Sequence, residues 1–325
     1  MTRLGYQIPN FTYPNTDASQ LFDKVVAQAK AADTSGFDTV LVMDHFYQLP
    51  MLGDPEANML ECYTTLAALA RETRNVRLSA LVTGNTYRNP TLLAKTITAL
   101  DIVSNGRAQL GIGAGWFELE HNSLGYEFGT FTDRFEKLEE ALQIIIPMLR
   151  DERPTLAGKH YTVDNAINQP APISRIPIMI GGSGEKKTLR MVAQYADEAN
   201  LTAPVNEVTR KLDALAAHCE RLGRDRSTIT VSKHVNVCLG ETHDLAYDAM
   251  VAFLGGRGLD IATIDDDFRE LLLSMVVWGD ADEVSQQLSD ILALGVDGLT
   301  CSMPANGFIP ERVAHLGEVA SKLIA

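Results

Sequence analysis

The chain has 325 residues, a length that suits one large α/β domain or two small ones. Hydrophobic residues make up 46% of it, enough for a core, and no apolar run is long enough to span a bilayer. The net charge of -14 argues against nucleic acid as a partner, because phosphate contacts need clustered basic residues. The four cysteines form no C-x-x-C pair and no signal-peptide pattern starts the chain. We therefore expect a reduced, cytoplasmic protein without a zinc site or a membrane partner.

Short apolar strands alternate with helical patterns along the chain. The predicted strands are 4–8, 39–43, 76–83, a fourth that runs from 108 into a glycine stretch, 177–180, 199–202, 229–239 and 298–302. Strand and helix alternation predicts a parallel sheet, and eight such units fit a (β/α)8 TIM barrel better than an open sheet. We expect one domain over 1–325. It should carry a proline-rich excursion at about 151–176 and an insertion of two helical patterns at about 241–278.

Three glycines at alternate positions, Gly111, Gly113 and Gly115, end the fourth predicted strand. Glycine lets a backbone approach a ligand closely and adopt positive φ. The stretch lacks the third glycine of a dinucleotide fingerprint at its proper offset, and the next helix is predicted to begin late, near Thr132, which disfavours a Rossmann fold. The structural alternative is a barrel strand that packs tightly against its neighbours.

A second glycine stretch, Gly181 to Lys186, follows the fifth predicted strand and precedes a helix. This order directs backbone N–H groups and a helix dipole towards one point, which is typical of a phosphate site. Ser183 and Lys186 can both donate to a phosphate oxygen. The alternative is a tight strand-to-helix turn that binds nothing.

His45 follows a buried strand directly, with Asp44 beside it. A histidine at the carboxyl end of a barrel strand can give or take a proton near neutral pH, and the alternative is a structural histidine. The first strand lacks the paired histidines of a metal-dependent hydrolase, so we expect no metal. Lys233 lies in the first half of its strand, which disfavours a Schiff-base enzyme.

Four stretches now resemble a known family. They are Asp44-His45-Phe46, residues 84–90, residues 111–116 and residues 181–186. Together, and in this order, they are similar to the luciferase-like monooxygenase superfamily. Within it they are most similar to the actinobacterial oxidoreductases that use the deazaflavin coenzyme F420. The resemblance covers almost the whole chain, and FMN-dependent members share the same barrel.

The resemblance implies a flavin-like ring over the barrel mouth, beside strands two, three and four. It also implies a bulge in strand three with a cis peptide bond that does not precede proline, here between Ala80 and Thr83. The phosphate would lie at Gly181 to Ser183. The expected cofactor-binding residues are Asp44, Ala80, Leu81, Val82, Thr83, Gly113, Ala114, Gly115, Gly181, Gly182, Ser183 and Lys186.

The implied activity is hydride transfer between F420 and an unidentified small organic substrate. His45 would assist proton transfer, oriented by Asp44, and Trp116 would shape the substrate pocket, with Glu118 as the next catalytic candidate. Sugar-phosphate dehydrogenases of the family carry a glutamate where this chain has Trp116, so an apolar or aromatic substrate is favoured. The alternatives are an FMN-dependent monooxygenase and a non-catalytic flavin-binding protein. The expected partner is the small-molecule substrate, with a homodimer as one option.

Overall fold

The computed structural model describes residues 1–255, 258–259, 263–266 and 272–324. Ten of its strands form one parallel sheet: β1 (Leu4–Ile8), β2 (Thr39–Val42), β3 (Arg77–Ala80), β4 (Thr83–Gly84), β5 (Leu110–Gly113), β8 (Ile178–Gly181), β9 (Glu198–Leu201), β10 (Thr230–Leu239), β11 (Val276–Gly279) and β12 (Gly298–Ser302). A separate antiparallel pair is β6 (Leu156–Ala157) with β7 (Thr162–Val163).

Helices follow most strands and cover the outside of the sheet. They are α1 (Ala18–Thr34), α2 (Cys62–Glu72), α3 (Pro90–Ser104), α4 (Glu118–Leu124), α5 (Phe131–Met148), α6 (Thr188–Tyr195), α7 (Val208–Leu222), α8 (His243–Gly255), α9 (Ala281–Leu292) and α10 (Pro310–Ile324). No helix in the described ranges combines the length and apolar character needed to cross a bilayer.

The residues at several helix ends are of the types that stabilise helix termini. Proline stands at the first position of α3, where a missing N–H is tolerated, and Asn105 ends that helix in the left-handed conformation at φ 60°. A capping box of Thr130 and Asp133 starts α5. A second, of Asp280 and Glu283, starts α9. These caps satisfy backbone groups that the helices themselves leave unpaired.

The sheet closes on itself, as the barrel prediction requires. Its strand order is β3-β2-β1-β12-β10-β9-β8-β5-β4, with β11 beside the second half of β10. A parallel bridge between Leu78 of β3 and Ala108, just before β5, joins the two ends. Since β3 and β4 occupy one position in the barrel, the predicted (β/α)8 TIM barrel with insertions is confirmed.

The bond between Leu81 and Val82, in the break between β3 and β4, is a cis peptide that does not precede proline. The resemblance implied such a bond between Ala80 and Thr83, and that expectation is confirmed. On one side β3 pairs with β2, and on the other β4 pairs with β5. Ala80 pairs with Val42, the last residue of β2, so the break follows the carboxyl ends of β2 and β3 at the barrel mouth.

Three details of the prediction were wrong. The helix after the glycine stretch begins at Glu118, not near Thr132, because the short α4 precedes α5. The excursion at 151–176 is not wholly irregular, since it contains the β6–β7 hairpin. Of the predicted insertion at 241–278, α8 is helical, but Val276–Gly279 is a strand that pairs with β10. Much of the second helical pattern lies outside the described residues.

Candidate active site

The predicted cofactor residues meet at one edge of the barrel. Register pairs Gly84 with Gly113 across β4 and β5, and Ile112 with Ile180 across β5 and β8. The carboxyl ends of these three strands are therefore neighbours, and in barrels of this kind that end carries the functional residues. The sequence separated the two glycine stretches by about 70 positions, and the fold makes them adjacent.

Steric crowding explains why both glycines of β5, Gly111 and Gly113, lack a side chain. A Cβ atom on Gly111 would lie 2.1 Å from the backbone oxygen of Ala80. One on Gly113 would lie 2.9 Å from Val82 Cγ2, and one on Gly181 would lie 2.7 Å from Val82 Cγ1. Tight packing, the structural alternative raised for the sequence, therefore explains these glycines in part. It also places the Val82 side chain between the two stretches.

We call residues Gly113, Ala114, Gly115, Gly181 and Gly182 the glycine strip. None of them has a side chain beyond Cβ, so backbone makes up most of the strip. Gly115 and Gly182 have φ of +79° and +119°, which side-chain-bearing residues resist. All five members of the strip are among the expected cofactor-binding residues.

Ser183 follows the strip and is already bonded to the backbone. Its Oγ atom accepts from the N–H groups of Thr202 and Ala203, both at 2.9 Å. A hydroxyl that accepts twice still has its own proton to donate, so Ser183 remains suited to a phosphate oxygen. Lys186 is exposed, and no hydrogen bond or ion pair of its ammonium occurs within the described residues. Both residues are thus available to hold a phosphate.

His45 pairs with Glu120, not with Asp44. Its Nδ1 atom lies 3.0 Å from Glu120 Oε2, and the two side chains are 13% and 0% exposed. The prediction that Asp44 orients His45 is therefore wrong. The physical reason is that Asp44 faces a stronger partner: its carboxylate receives both terminal nitrogens of Arg88, at 2.5 and 2.8 Å, and the N–H of Gly84.

Trp116 lies beside His45, with 5.7 Å between ring centroids in an edge-to-face arrangement. The indole is 53% exposed, so its free side can line a substrate pocket at the mouth. Glu118 is exposed and makes no described contact with His45. It stands two residues from Glu120 on α4, a spacing that places the two side chains on different faces of a helix.

Other polar groups of the protein make contacts of their own. His234 Nε2 contacts Gln7 Oε1 at 2.7 Å, and burial, together with nearby Lys233, lowers the pKa of His234 to about 4. Burial lowers the pKa of Lys233 to about 8, and its ammonium donates to the backbone of His234. On the outer surface, Asp133, Glu136 and His160 lie close enough to hold an ion, but the Lys159 ammonium already contacts both carboxylates.

The sequence reasoning missed Glu120, Tyr87 and Arg88. Tyr87 donates to Glu120 Oε2 at 2.5 Å, and Arg88 pairs with Asp44. Tyr87 and Arg88 belong to the stretch 84–90 that carried the family resemblance, and this was the available signal for them. Glu120 could have been found from the helix that begins directly after the glycine stretch, had α4 been recognised.

Comparison with known proteins bears on the family and the fold of the chain. The family described as luciferase-like monooxygenase matches residues 2–298. An F420-dependent glucose-6-phosphate dehydrogenase of Microbacterium testaceum is 31% identical over 67% of this chain, and the match covers 64% of that relative, less than two thirds of its length. A 5,10-methylenetetrahydromethanopterin reductase of Methanolobus tindarius is 25% identical over 91% of this chain and 94% of its own.

Solved structures show the same fold. An F420-dependent secondary alcohol dehydrogenase, solved in complex with an F420-acetone adduct, superposes with a TM-score of 0.82 at 18% identity. The superposition covers 100% of this chain and 99% of the other. Because the family match spans residues 2–298, well over half of the sequence, the chain belongs to the luciferase-like monooxygenase family.

Proposed function

We propose that the chain is an oxidoreductase that transfers a hydride between coenzyme F420 and a small organic substrate. The observation that carries the proposal is the contact between the rings of His45 and Trp116, the residue that directly follows Gly115 of the glycine strip. A proton-transfer group and a surface suited to a flat ring are thus neighbours. Such proximity is what a reaction that moves both a hydride and a proton requires.

The residues of the chain divide these tasks. The deazaflavin supplies the hydride chemistry when it is bound, and the protein binds it, orients the substrate and excludes water. Gly113 to Gly115 and residues 80–83 would face the ring, and Gly181 to Ser183, with Lys186, would hold the phosphate. His45 gives a proton to the substrate oxygen or nitrogen, or takes one from it, depending on the direction of the reaction.

The choice of F420 over FMN draws on the relatives. Two of them are named as F420-dependent, the dehydrogenase of Microbacterium testaceum and the alcohol dehydrogenase of similar structure. FMN remains the alternative cofactor, because a monooxygenase in complex with FMN also has this fold, with a TM-score of 0.74.

The rings around Trp116 support a substrate class for the proposal. Beside Trp116 lie Phe117, at 5.3 Å, and His45, and Phe46 stacks on Tyr126 at 5.7 Å. Aromatic walls bind apolar and aromatic molecules well. We therefore favour an apolar or aromatic carbonyl, imine or alcohol over a sugar phosphate.

Four buried thiols support a reducing location. Cys62, Cys219, Cys238 and Cys301 are all free in the described structure. Proteins that keep several cysteines unpaired are typical of the cytoplasm. A cytoplasmic enzyme is accordingly part of the proposal.

Titration calorimetry of the purified protein with F420 and with FMN tests the proposal, followed by turnover assays on enones, quinones and imines. We expect tighter binding of F420 and hydride transfer to one of these classes. Equal or tighter binding of FMN would favour the monooxygenase. Tight F420 binding without turnover of any class, His45 being intact, would favour a non-catalytic flavin-binding protein.

A further inference from the structure

Glu120 is a fully buried carboxylate that receives four donors. Its Oε1 atom accepts from the backbone N–H groups of Phe46, at 2.5 Å, and Tyr47, at 2.8 Å. Its Oε2 atom accepts from the Tyr87 hydroxyl at 2.5 Å and lies 3.0 Å from His45 Nδ1. Burial by itself raises the pKa of Glu120, but the contacts with His45, Tyr87 and Tyr47 outweigh burial and hold that pKa below its ordinary value.

An ionised carboxylate can accept hydrogen bonds but cannot donate them. The 3.0 Å contact is therefore a hydrogen bond only when His45 carries a proton on Nδ1. In the neutral ring the second nitrogen, Nε2, then holds the lone pair. Within the described residues Nε2 has no hydrogen-bond partner, and the side chain is 13% exposed, so this nitrogen is the one left for a ligand.

We propose that Glu120 is a positioning residue that fixes His45 in the Nδ1–H tautomer, with Nε2 as the free acceptor. The importance of this tautomer for turnover rests on the function proposed above, but the tautomer itself does not. Tyr87 donates to the same carboxylate oxygen and leaves it no freedom to turn away. The two backbone bonds hold the other oxygen, so the whole carboxylate is fixed in one orientation.

Glutamine at this position reverses the hydrogen bond. The side-chain oxygen of Glu120→Gln must face the N–H groups of Phe46 and Tyr47, because two donors cannot face an amide NH₂. The NH₂ group then faces His45 and donates to Nδ1. A ring that accepts at Nδ1 must carry its proton on Nε2, so the variant inverts the tautomer without changing the shape of the side chain.

Histidine ¹⁵N NMR reads the tautomer directly, since two-bond spectra distinguish protonated from unprotonated ring nitrogens. The protein has seven histidines, and a His45→Gln spectrum assigns the signals of interest. The matched control is Glu127→Gln, at an exposed glutamate that pairs with Lys137. We expect the Nδ1–H form in the wild type and the control, and the Nε2–H form in Glu120→Gln.

An Nε2–H ring in the wild type would overturn the proposal, even if the variant does not fold. An unchanged tautomer in a folded Glu120→Gln protein, judged by circular dichroism and a thermal melt, would overturn it as well.

Turnover is measured separately on the loaded enzyme. A wrong tautomer in an otherwise intact site lowers turnover by about 10²–10⁴-fold. Inversion of the tautomer with normal turnover supports the role of Glu120 and removes His45 from the mechanism. The failure of this inference and the failure of the proposed function are therefore distinguishable.

Discussion

Asp44 and Arg88 form a two-point ion pair at the barrel mouth, with side chains only 2% and 12% exposed. Because Asp44 also accepts from the N–H of Gly84, the pair ties the end of β2 to the end of β4. Arg88 extends the link to Glu61, at 2.8 Å, and lies over the ring of Tyr63. Asp44, which was expected from the sequence to orient His45, therefore anchors β4 beside the glycine strip.

Arg88→Met should be severely destabilising, because it leaves the Asp44 carboxylate buried without its countercharge. Removal of one partner of a buried ion pair costs about 3–5 kcal/mol. The matched control is Lys30→Met, which breaks the pair of Lys30 with Glu72, whose side chains are 53% and 42% exposed. Breaking an exposed pair costs about 0–1 kcal/mol. Urea unfolding of both variants measures the difference, and equal losses would contradict the anchoring role.

The loss in Arg88→Met should depend on pH. Burial raises the pKa of Asp44, and the guanidinium of Arg88 offsets part of that rise. Without Arg88 the pKa rises further, so between the unfolded and folded pKa values the folded state binds more protons. Stability then falls as the pH rises through that interval. We expect the deficit to be largest near about pH 7 and to shrink as the pH falls towards about 4, where the carboxyl is protonated.

His45→Ala should lower the rate of the chemical step by about 10²–10⁴-fold, if His45 transfers a proton. Cofactor affinity should change far less, because the proposed phosphate site lies on another strand. Single-turnover hydride transfer measures the rate, and a thermal melt detects a merely structural role. His243→Ala, at an exposed histidine on α8, is the control. A normal single-turnover rate in the folded variant would exclude His45 from the mechanism.

Gly182→Val should weaken F420 binding at least tenfold. In the proposed function the phosphate lies at Gly181 to Ser183, so the added side chain would obstruct it, and each lost charge-assisted contact costs roughly 1.5–3 kcal/mol. Gly182 has φ of +119°, so valine also strains the backbone, and Gly223→Val, at φ +65° with open space around it, controls for that strain. Calorimetric titration compares the two. Unchanged F420 affinity in a folded Gly182→Val protein would show that the phosphate binds elsewhere.

The outer face of α3 is expected to pair with a second copy of the chain if the protein forms a homodimer. It presents Leu92, Ile102 and Val103, at 58%, 37% and 37% exposure, although helices that face water usually expose polar residues. Leu92→Glu with Ile102→Glu should shift the mass in sedimentation towards the monomer. The control is Leu222→Glu, at 48% exposure on α7. If the double variant keeps the mass of the wild type, this face is not an interface.

The barrel could be predicted because buried parallel strands are nearly continuous apolar runs. The last strand, Gly298–Ser302, was predicted with its observed bounds. By contrast, β11 was missed because it has four residues, only two of which are buried. The short α4 was missed since its seven residues are mostly polar and exposed, which is also typical of a loop.

From the sequence, the site could be predicted only for residues that stand at the end of a single strand. Strand ends identified His45 and the glycines, because in a barrel the carboxyl end of each strand reaches the mouth. The partner of His45 lies 75 positions along the chain, and its approach depends on how α4 packs. Sequence adjacency favoured Asp44 instead. The side chains of consecutive residues, however, do not need to contact each other. The Asp44 carboxylate pairs with Arg88.

The hydrogen bonds of Glu120 couple two segments that are distant in the sequence, so a chimera has to exchange both together. Glu120 of α4 accepts from the backbone N–H groups of Phe46 and Tyr47 and contacts the His45 ring. Neither α4 nor the loop at 45–47 therefore keeps its geometry without the other. Chimeras that import the segment between β5 and α5 from another family member must therefore import the end of β2 as well. Crossover points placed between these two segments would produce barrels that fold but lack an ordered histidine.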